Sequence, residues 1–201
     1  LSGVRPSVAW SSEARLRQFA ELVTKWSGKI NLVSKHDLPH LWERHIQDSL
    51  ALVPYIPAGT IAAIDLGSGA GFPGFVLAIE TGIRFTLIES DGRKAAFLMD
   101  AARELAAPVI VLNSRIEAAK TTPAPLVTAR ALAPLDKLLA LAMPHLAPDG
   151  VCLFPKGRTY GEELKQAKTL WRMTVERCNN PFDAEACILR LGQIQYAGQP
   201  R

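Results

Sequence analysis

The sequence predicts an α/β fold: a mostly parallel sheet with helices on both faces, an antiparallel C-terminal edge strand, and a small helical N-terminal extension. Three observations lead there. Apolar residues fall at helical spacing through the first sixty positions. From Thr60 onward, short branched apolar runs alternate with helical segments, the pattern of parallel strands joined by crossover helices. Two strand-like runs then close the chain in quick succession, which suggests a hairpin at one sheet edge. The length, 201 residues, is one domain of roughly 150 residues plus a modest extension. The expected division is a helical extension over 1–59, packed on a main domain over 60–201.

Composition narrows the class. The chain is 48% hydrophobic and 21% charged, near globular averages, which excludes a disordered or collagen-like chain. No run approaches the ~18 consecutive apolar residues of a membrane span, so no membrane partner is expected. Leu1–Trp10 lacks the charged-then-apolar layout of a secretory signal. The cysteines, Cys152, Cys178 and Cys187, are odd in number and far apart. That argues against a disulfide framework or zinc site and for a reducing, cytoplasmic setting. The net charge of +4 is concentrated at two places: seven Lys/Arg against five Asp/Glu in 1–60, and six against three in 155–177.

The elements follow in order. Leu16, Phe19, Ala20, Val23 and Trp26 form one helical face, broken by Gly28. A second helix is expected over Leu38–Val53, capped by Asp37, with Leu38, Leu41, Trp42, His45, Ile46, Leu50 and Val53 as its apolar face. Strands are expected at Thr60–Leu66, Arg84–Ser90, Val109–Asn113, Leu126–Ala129 and Val151–Phe154, with a turn at Pro148–Gly150. The helices between and after them are Pro73–Glu80, Arg93–Leu105, Pro134–Leu146 and Gly161–Trp171. Thr174–Cys178 and Ala186–Leu191 supply the final pair of strands.

The most informative stretch is Asp65-Leu-Gly-Ser-Gly-Ala-Gly-Phe-Pro-Gly74. It leaves a strand and enters a helix, and its glycines permit unusual φ values and close approach of a ligand to the backbone. Pro73 suits the first helical turn, whose free N–H groups present a positive dipole end. Gly69, Gly71 and Gly74 match the dinucleotide pattern Gly-x-Gly-x-x-Gly literally, a weak signal alone. Asp65, two residues before Gly67, would set a negative charge against a pyrophosphate. S-adenosylmethionine has no phosphate and carries a sulfonium and an amine, which tolerate an acid there. Glu89, at the end of the second strand, is placed to accept ribose hydroxyls from either cofactor. The segment Asn113-Ser-Arg-Ile-Glu117 would lie beside the adenine, and Arg130 holds the equivalent place after the fourth strand.

These residues resemble a class I S-adenosylmethionine-dependent methyltransferase, whose fold is Rossmann-like. The closer resemblance is to the bacterial 16S rRNA guanine-N7 methyltransferase G family, also called glucose-inhibited division protein B. It is carried by Asn31-Leu-Val-Ser34, Arg44-His-Ile-Gln-Asp-Ser49, Asp65 through Gly74 with its Phe-Pro-Gly ending, and Thr128-Ala-Arg-Ala131; Ser114-Arg-Ile-Glu117 also fits. The likeness runs from about Trp26 to Lys156. It implies cofactor contacts at Gly67, Phe72, Ile116, Glu117 and Arg130, beside Gly69, Gly71 and Glu89 from the residue reading. It implies methyl transfer to N7 of one guanine in the decoding-region loop of 16S rRNA, within the small ribosomal subunit or an assembly intermediate. S-adenosylhomocysteine would be the product. No role is carried beyond Arg158, no obligate protein partner is expected, and a monomer is the default.

The chemistry agrees through an absence. N7 of guanine has an exposed lone pair and no proton, so no general base, and hence no catalytic residue of that kind, is expected; in-line placement suffices. After the fourth strand, where amino-group methylases place a polar-Pro-Pro-aromatic run, this chain has Ala129-Arg-Ala131; Asn179-Asn-Pro-Phe182 is similar but lies between the late strands. Base-carbon methylases need a nucleophilic Cys, and all three cysteines read as strand residues. His36, His40 and His45 lack a third ligand at metal spacing, so no metal is expected. Candidates for the RNA are Asn31, Arg44, His45, Arg115, Lys156 and Arg158, with Asp48 placed to orient His45. Three other readings stay open: a small-molecule methyltransferase, a nicotinamide-dependent oxidoreductase, and a non-catalytic RNA-binding subunit.

Overall fold

The computed structural model describes residues 11–198; the Leu1–Trp10 segment therefore lies outside the described residues. Helix α1, Ser12–Ser27, starts at Ser11, whose hydroxyl accepts from the Ala14 N–H, and buries Leu16, Phe19 and Val23. The next stretch departs from expectation. In place of one helix over Leu38–Val53, the chain makes a 3-10 turn at Leu38–His40, a π-helical turn at Trp42–Gln47, a short α2 at Asp48–Leu50, and a 3-10 turn at Val53–Tyr55. The expected cap, Asp37, makes no capping bond. It accepts instead from Ser34 Oγ and pairs with Arg44. Of the predicted apolar face Leu41 and Ile46 are buried and Leu38, Trp42, His45, Leu50 and Val53 half-buried, while Leu52, outside that face, is buried as well.

Strands β1 (Ala62–Leu66), β2 (Arg84–Glu89), β3 (Val109–Asn113), β4 (Ala124–Ala129) and β5 (Leu146–Lys156) are parallel. Helices α3 (Gly74–Thr81), α4 (Gly92–Glu104), α5 (Leu135–Ala142) and α6 (Tyr160–Ala167) connect or follow them. The last strands, β6 (Trp171–Asn179) and β7 (Cys187–Tyr196), are antiparallel, and the order across the sheet is β3-β2-β1-β4-β5-β7-β6. The predicted α/β class, mostly parallel with an antiparallel C-terminal edge, is the fold observed. Two details differ. Pro148–Gly150 is no free turn but a bulge within β5, where the register against β4 jumps from Ala124↔Leu146 to Leu126↔Val151. Trp171 does not end α6 but opens β6, buried edge-on against Tyr196.

Strand residues alternate between two cores, as period-two geometry requires. Ala63, Phe85, Leu126 and Leu153 join the cluster covered by α1, α3 and α4; Ile64, Ile88, Val127 and Phe154 join the one covered by α5 and α6. Phe19 of α1 lies flat on Phe75 at 4.3 Å and edge-on to Phe72 at 5.7 Å. The helical extension is thereby packed on the residues of the glycine turn.

Candidate functional site

The chain runs outward from β1 to β3 and then crosses back to β4. β1 and β4 therefore diverge at a topological switch point, where open α/β sheets bind ligands beyond their strand carboxyl ends. The register pairs Leu66 with Ala129, so Gly67 and Arg130 leave the sheet side by side. The turn needs its glycines. Gly71 has φ +99°, and a Cβ there would stand 2.9 Å from both Phe19 Cζ and Phe75 Cβ. Gly67 has φ +62°, and a Cβ would stand 2.6 Å from Leu132 Cδ1, so the segment after β4 lies directly over the turn.

Glu89, 7% exposed, accepts from the Gly69 N–H through Oε2 and from the Asp91 N–H through Oε1, both at 2.7 Å. Its carboxylate is thus oriented by backbone donors, with lone pairs remaining on each oxygen. Asn113 Nδ2 donates to the Glu89 carbonyl at 2.9 Å, joining the ends of β2 and β3. Beyond β3, Ile116 is half-buried and Glu117 and Arg115 are exposed. The Ile116 carbonyl accepts from His145 Nε2 at 3.2 Å, and His145 Nδ1 faces Thr121 Oγ1 at 2.7 Å. His145 escaped the sequence reading because only spatial contact connects it to the site.

Asp65 lies beneath the turn, not in the cleft. It is fully buried, Thr128 Oγ1 donates to it at 2.6 Å, and a Cβ on Gly74 would stand 2.5 Å from its own Cβ. Burial pushes its carboxyl up to about 6, against the lowering effect of its hydrogen bonds. Its role is therefore to support the turn, not to orient a ligand amine.

Arg130 gathers the helical extension. It donates to the Arg44 carbonyl at 3.2 Å, Asp48 Oδ2 at 3.1 Å and His45 Nδ1 at 2.7 Å. Its guanidinium also lies over the Phe72 ring at 5.2 Å. His45 stacks on Phe72 at 5.1 Å. An arginine only donates, so Nδ1 must accept and the proton sits on Nε2. Burial, then the Arg130 charge, pull the His45 pKa down to about 4, so the ring is neutral at physiological pH. The Nε2–H is buried with no partner among the described residues. The expectation that Asp48 orients His45 is replaced by a different geometry: Asp48 accepts from Arg130 on one oxygen and from Asn180 Nδ2, at 2.6 Å, on the other.

Beside this junction is a cavity of about 950 Å³ lined by residues that include Arg44, His45, Arg130, Lys156 and Phe182. Of the other RNA candidates, Arg44 points partly to solvent and pairs with Asp37 at 2.8 Å. Arg158 is exposed and pairs with Glu185. Lys156 is withdrawn: its side chain is 9% exposed, held by Glu163 at 2.8 Å and the Ala133 carbonyl at 3.1 Å. Glu163 also accepts from the Leu135 N–H, at the start of α5. Asn31 sits apart, on a recess of about 230 Å³ with Asp91, Arg93 and Lys94. Among the described residues, no group of three or more His, Cys, Asp or Glu is arranged to hold a metal ion, and no helix is long and apolar enough to cross a membrane. All three cysteines are buried, and burial pushes the Cys152 thiol up.

Comparison with known proteins adds a family. The profile described as rRNA small subunit methyltransferase G (GidB) matches residues 12–185. A protein of that name from Acidiphilium cryptum is 52% identical over 185 residues, covering 90% of this chain and 85% of the relative. One from Gluconobacter oxydans is 48% identical, covering 94% and 97%. Among solved structures, a T. thermophilus 16S rRNA methyltransferase in complex with AdoMet and guanosine has a TM-score of 0.55 at 18% identity, covering 78% of this chain and 41% of that one. A TehB-like SAM-dependent methyltransferase from Corynebacterium glutamicum has the same score at 16% identity, covering 73% and 86%. At such identities the likeness is one of fold.

Proposed function

The chain belongs to the rRNA small subunit methyltransferase G family, and from that premise we propose that it methylates N7 of a guanine in 16S rRNA with S-adenosylmethionine as donor. The substrate is the small ribosomal subunit or an assembly intermediate, in the cytoplasm. The observation that carries the reading is the placement of the large cavity against the switch point, with its three less exposed carboxylates paired to cations: Asp37 to Arg44, Asp48 to Arg130, and Glu163 to Lys156, while Glu43 and Asp183 are exposed. The carboxylates set back from solvent are thus held by cations, so the site is built to position a nucleophile and not to deprotonate one, which is what N7 requires.

The residues at the turn fit the donor. Glu89 is a nearly buried carboxylate with spare lone pairs at the end of β2, suited to a ribose diol. Gly69 has open space where a Cβ would project, its nearest neighbour being the Gly67 carbonyl at 3.9 Å, so a ligand can approach its backbone closely. Ile116 supplies an apolar wall and Glu117 an acceptor for the adenine end. When bound, S-adenosylmethionine supplies an electrophilic methyl group on a sulfonium sulfur.

The remaining work falls to the chain. Phe72, pressed between Phe19 and His45, fixes the wall between cofactor turn and cavity. Arg130 holds that wall through the helical extension. Methylation at N7 leaves the purine cationic, so a free guanidinium against it would oppose the reaction. Here the Arg130 charge is balanced by Asp48, which makes it a positioning residue. Arg44, Arg115 and Arg158 meet phosphates at the rim. Few such contacts imply moderate salt dependence.

The test is methyl transfer from labelled donor to small subunits prepared from a strain lacking this modification, followed by mapping of the nucleotide. N7-methylguanine at a single 16S position is expected. Label in no rRNA, or at an exocyclic amine or base carbon, overturns the reading.

A further inference from the structure

We propose that Phe182, on the β6–β7 connection, is the stacking platform for the guanine that enters the large cavity; this rests on the rRNA methyl-transfer reading above. Five large apolar side chains of the described residues are exposed, Ile61, Met99, Ile110, Phe182 and Tyr196. Of these, Phe182 alone lines the cavity. Phe182 is 49% exposed and is the one aromatic ring but for His45 in a recess lined by small apolar residues such as Ala131, Ala133 and Ala186 and by charged groups.

The ring's loop is held where a binding element must be held. Asn180 is 5% exposed and works in both directions: its Nδ2 donates to Asp48 Oδ1 at 2.6 Å, and its Oδ1 accepts from the Phe182 N–H at 3.0 Å. Tyr55 Oη donates to the Asn179 carbonyl at 3.0 Å. Asp48 thus ties Phe182 to Arg130, and through Arg130 to the Phe72 wall of the cofactor turn, with one carboxylate. A loop serving only to connect two strands needs no bond to a residue 132 positions earlier.

The occupant follows from the chemistry. A guanine in a recess at the sheet's carboxyl end is unstacked from its neighbours, and that cost is offset by an aromatic face. Phenylalanine has no donor or acceptor to compete for N7 and leaves the base edge free. Its ring face also attracts the positive charge that develops on the purine as N7 is alkylated. Arg44 lines the cavity, and Arg158, next in the chain to the lining residue Gly157, is paired to Glu185 of the loop; both are exposed cations suited to phosphates of the adjoining nucleotides. The aromatic face that related chemistry places after the fourth strand is thereby delivered from the other end of the chain, because β7 returns beside β5.

The test uses the full chain with small subunits lacking the modification, comparing F182A, F182L, F182Y and F182W. F182A and F182L are expected to raise the KM for subunits by about 5- to 150-fold, equivalent to the ~1–3 kcal/mol of base–aromatic stacking. F182Y and F182W restore it to within a few-fold, and S-adenosylhomocysteine affinity is unchanged throughout. F182L keeps apolar bulk without a ring, so an F182L enzyme with wild-type KM overturns the proposal, as does an unchanged F182A. Equal urea midpoints for F182L and F182Y show that any difference between them is not loss of fold. If wild-type protein methylates no subunit while binding S-adenosylhomocysteine, it is the underlying functional reading that fails.

Discussion

Replacing Arg130 by alanine removes three hydrogen bonds and one ring contact at the junction between the helical extension and the sheet. The bond to Asp48 is charge-assisted, worth roughly 1.5–3 kcal/mol, and those to the Arg44 carbonyl and His45 about 1 kcal/mol each. Arg130 and Asp48 are 18% and 20% exposed, and Asp48 keeps Asn180, so water repays part of the loss. A net destabilisation of about 3 kcal/mol results, a large share of the ~5–15 kcal/mol that holds a domain together. The same change raises the His45 pKa, because the Arg130 charge is the second cause of its depression, but burial, the largest cause, keeps it below 6.5. In the wild type, neutral His45 contributes stability that is fully present above pH 6.5 and lost as pH falls toward 4; in R130A that loss is smaller. Urea unfolding gives the first quantity and an NMR titration of the His45 ring the second. A stability change under about 0.5 kcal/mol, or a His45 titration that does not move, refutes the account of the junction.

The other predictions concern the supports around the site. Burial holds the Asp65 carboxyl near 6 instead of 3.8, so the folded state binds more protons than the unfolded state between those values. Its ionisation therefore lowers stability by roughly 3 kcal/mol as pH rises from 4 to 6. D65N removes this contribution, and urea midpoints across that range that keep the wild-type slope count against it. G71A forces a side chain into a positive-φ turn and between Phe19 and Phe75, for a loss of about 2–4 kcal/mol; calorimetry showing a wild-type Tm contradicts the packing described. E163Q keeps an acceptor for Lys156 but removes its countercharge, leaving a nearly buried ammonium between neutral oxygens and costing roughly 2–3 kcal/mol. Hydrogen exchange over 130–135 should accelerate, and unchanged protection there argues that the clip does not hold the segment.

How much of this is visible in the sequence depends on the range of the interactions. β3 is read at its observed ends because a branched apolar run between a helix and a polar turn is a local signal. The glycine turn is legible for the same reason: positive φ at Gly67, Gly69 and Gly71 is a demand on the residue itself. The segment 38–53 is misread because apolar periodicity reports which face is buried and not the pitch of the backbone. There the Arg44 carbonyl, within the π-helical turn, accepts from Arg130, 86 positions later. Lys156 and Glu163 look like two solvated charges seven apart until α6 brings them together. Phe182 is visible as part of an aromatic motif, but its place in the chain hides its place in space. No local rule says that β7 will lie next to β5, and the residues between β6 and β7 reach the cavity only once it does.

That strand order has a consequence for biosynthesis. β7, which leaves the ribosome after the other six strands, is not at the border of the sheet but between β5 and β6. Until it emerges, β6 has no neighbour to pair with and β5 presents a bare edge to other nascent chains, a known aggregation hazard. The Asp48–Asn180 and Tyr55–Asn179 tethers also wait on that insertion. A polypeptide stalled shortly before Cys187 would carry an intact glycine turn and an unfinished cavity, so emergence of β7 is itself the step that joins the two halves of the sheet's carboxyl-end cleft.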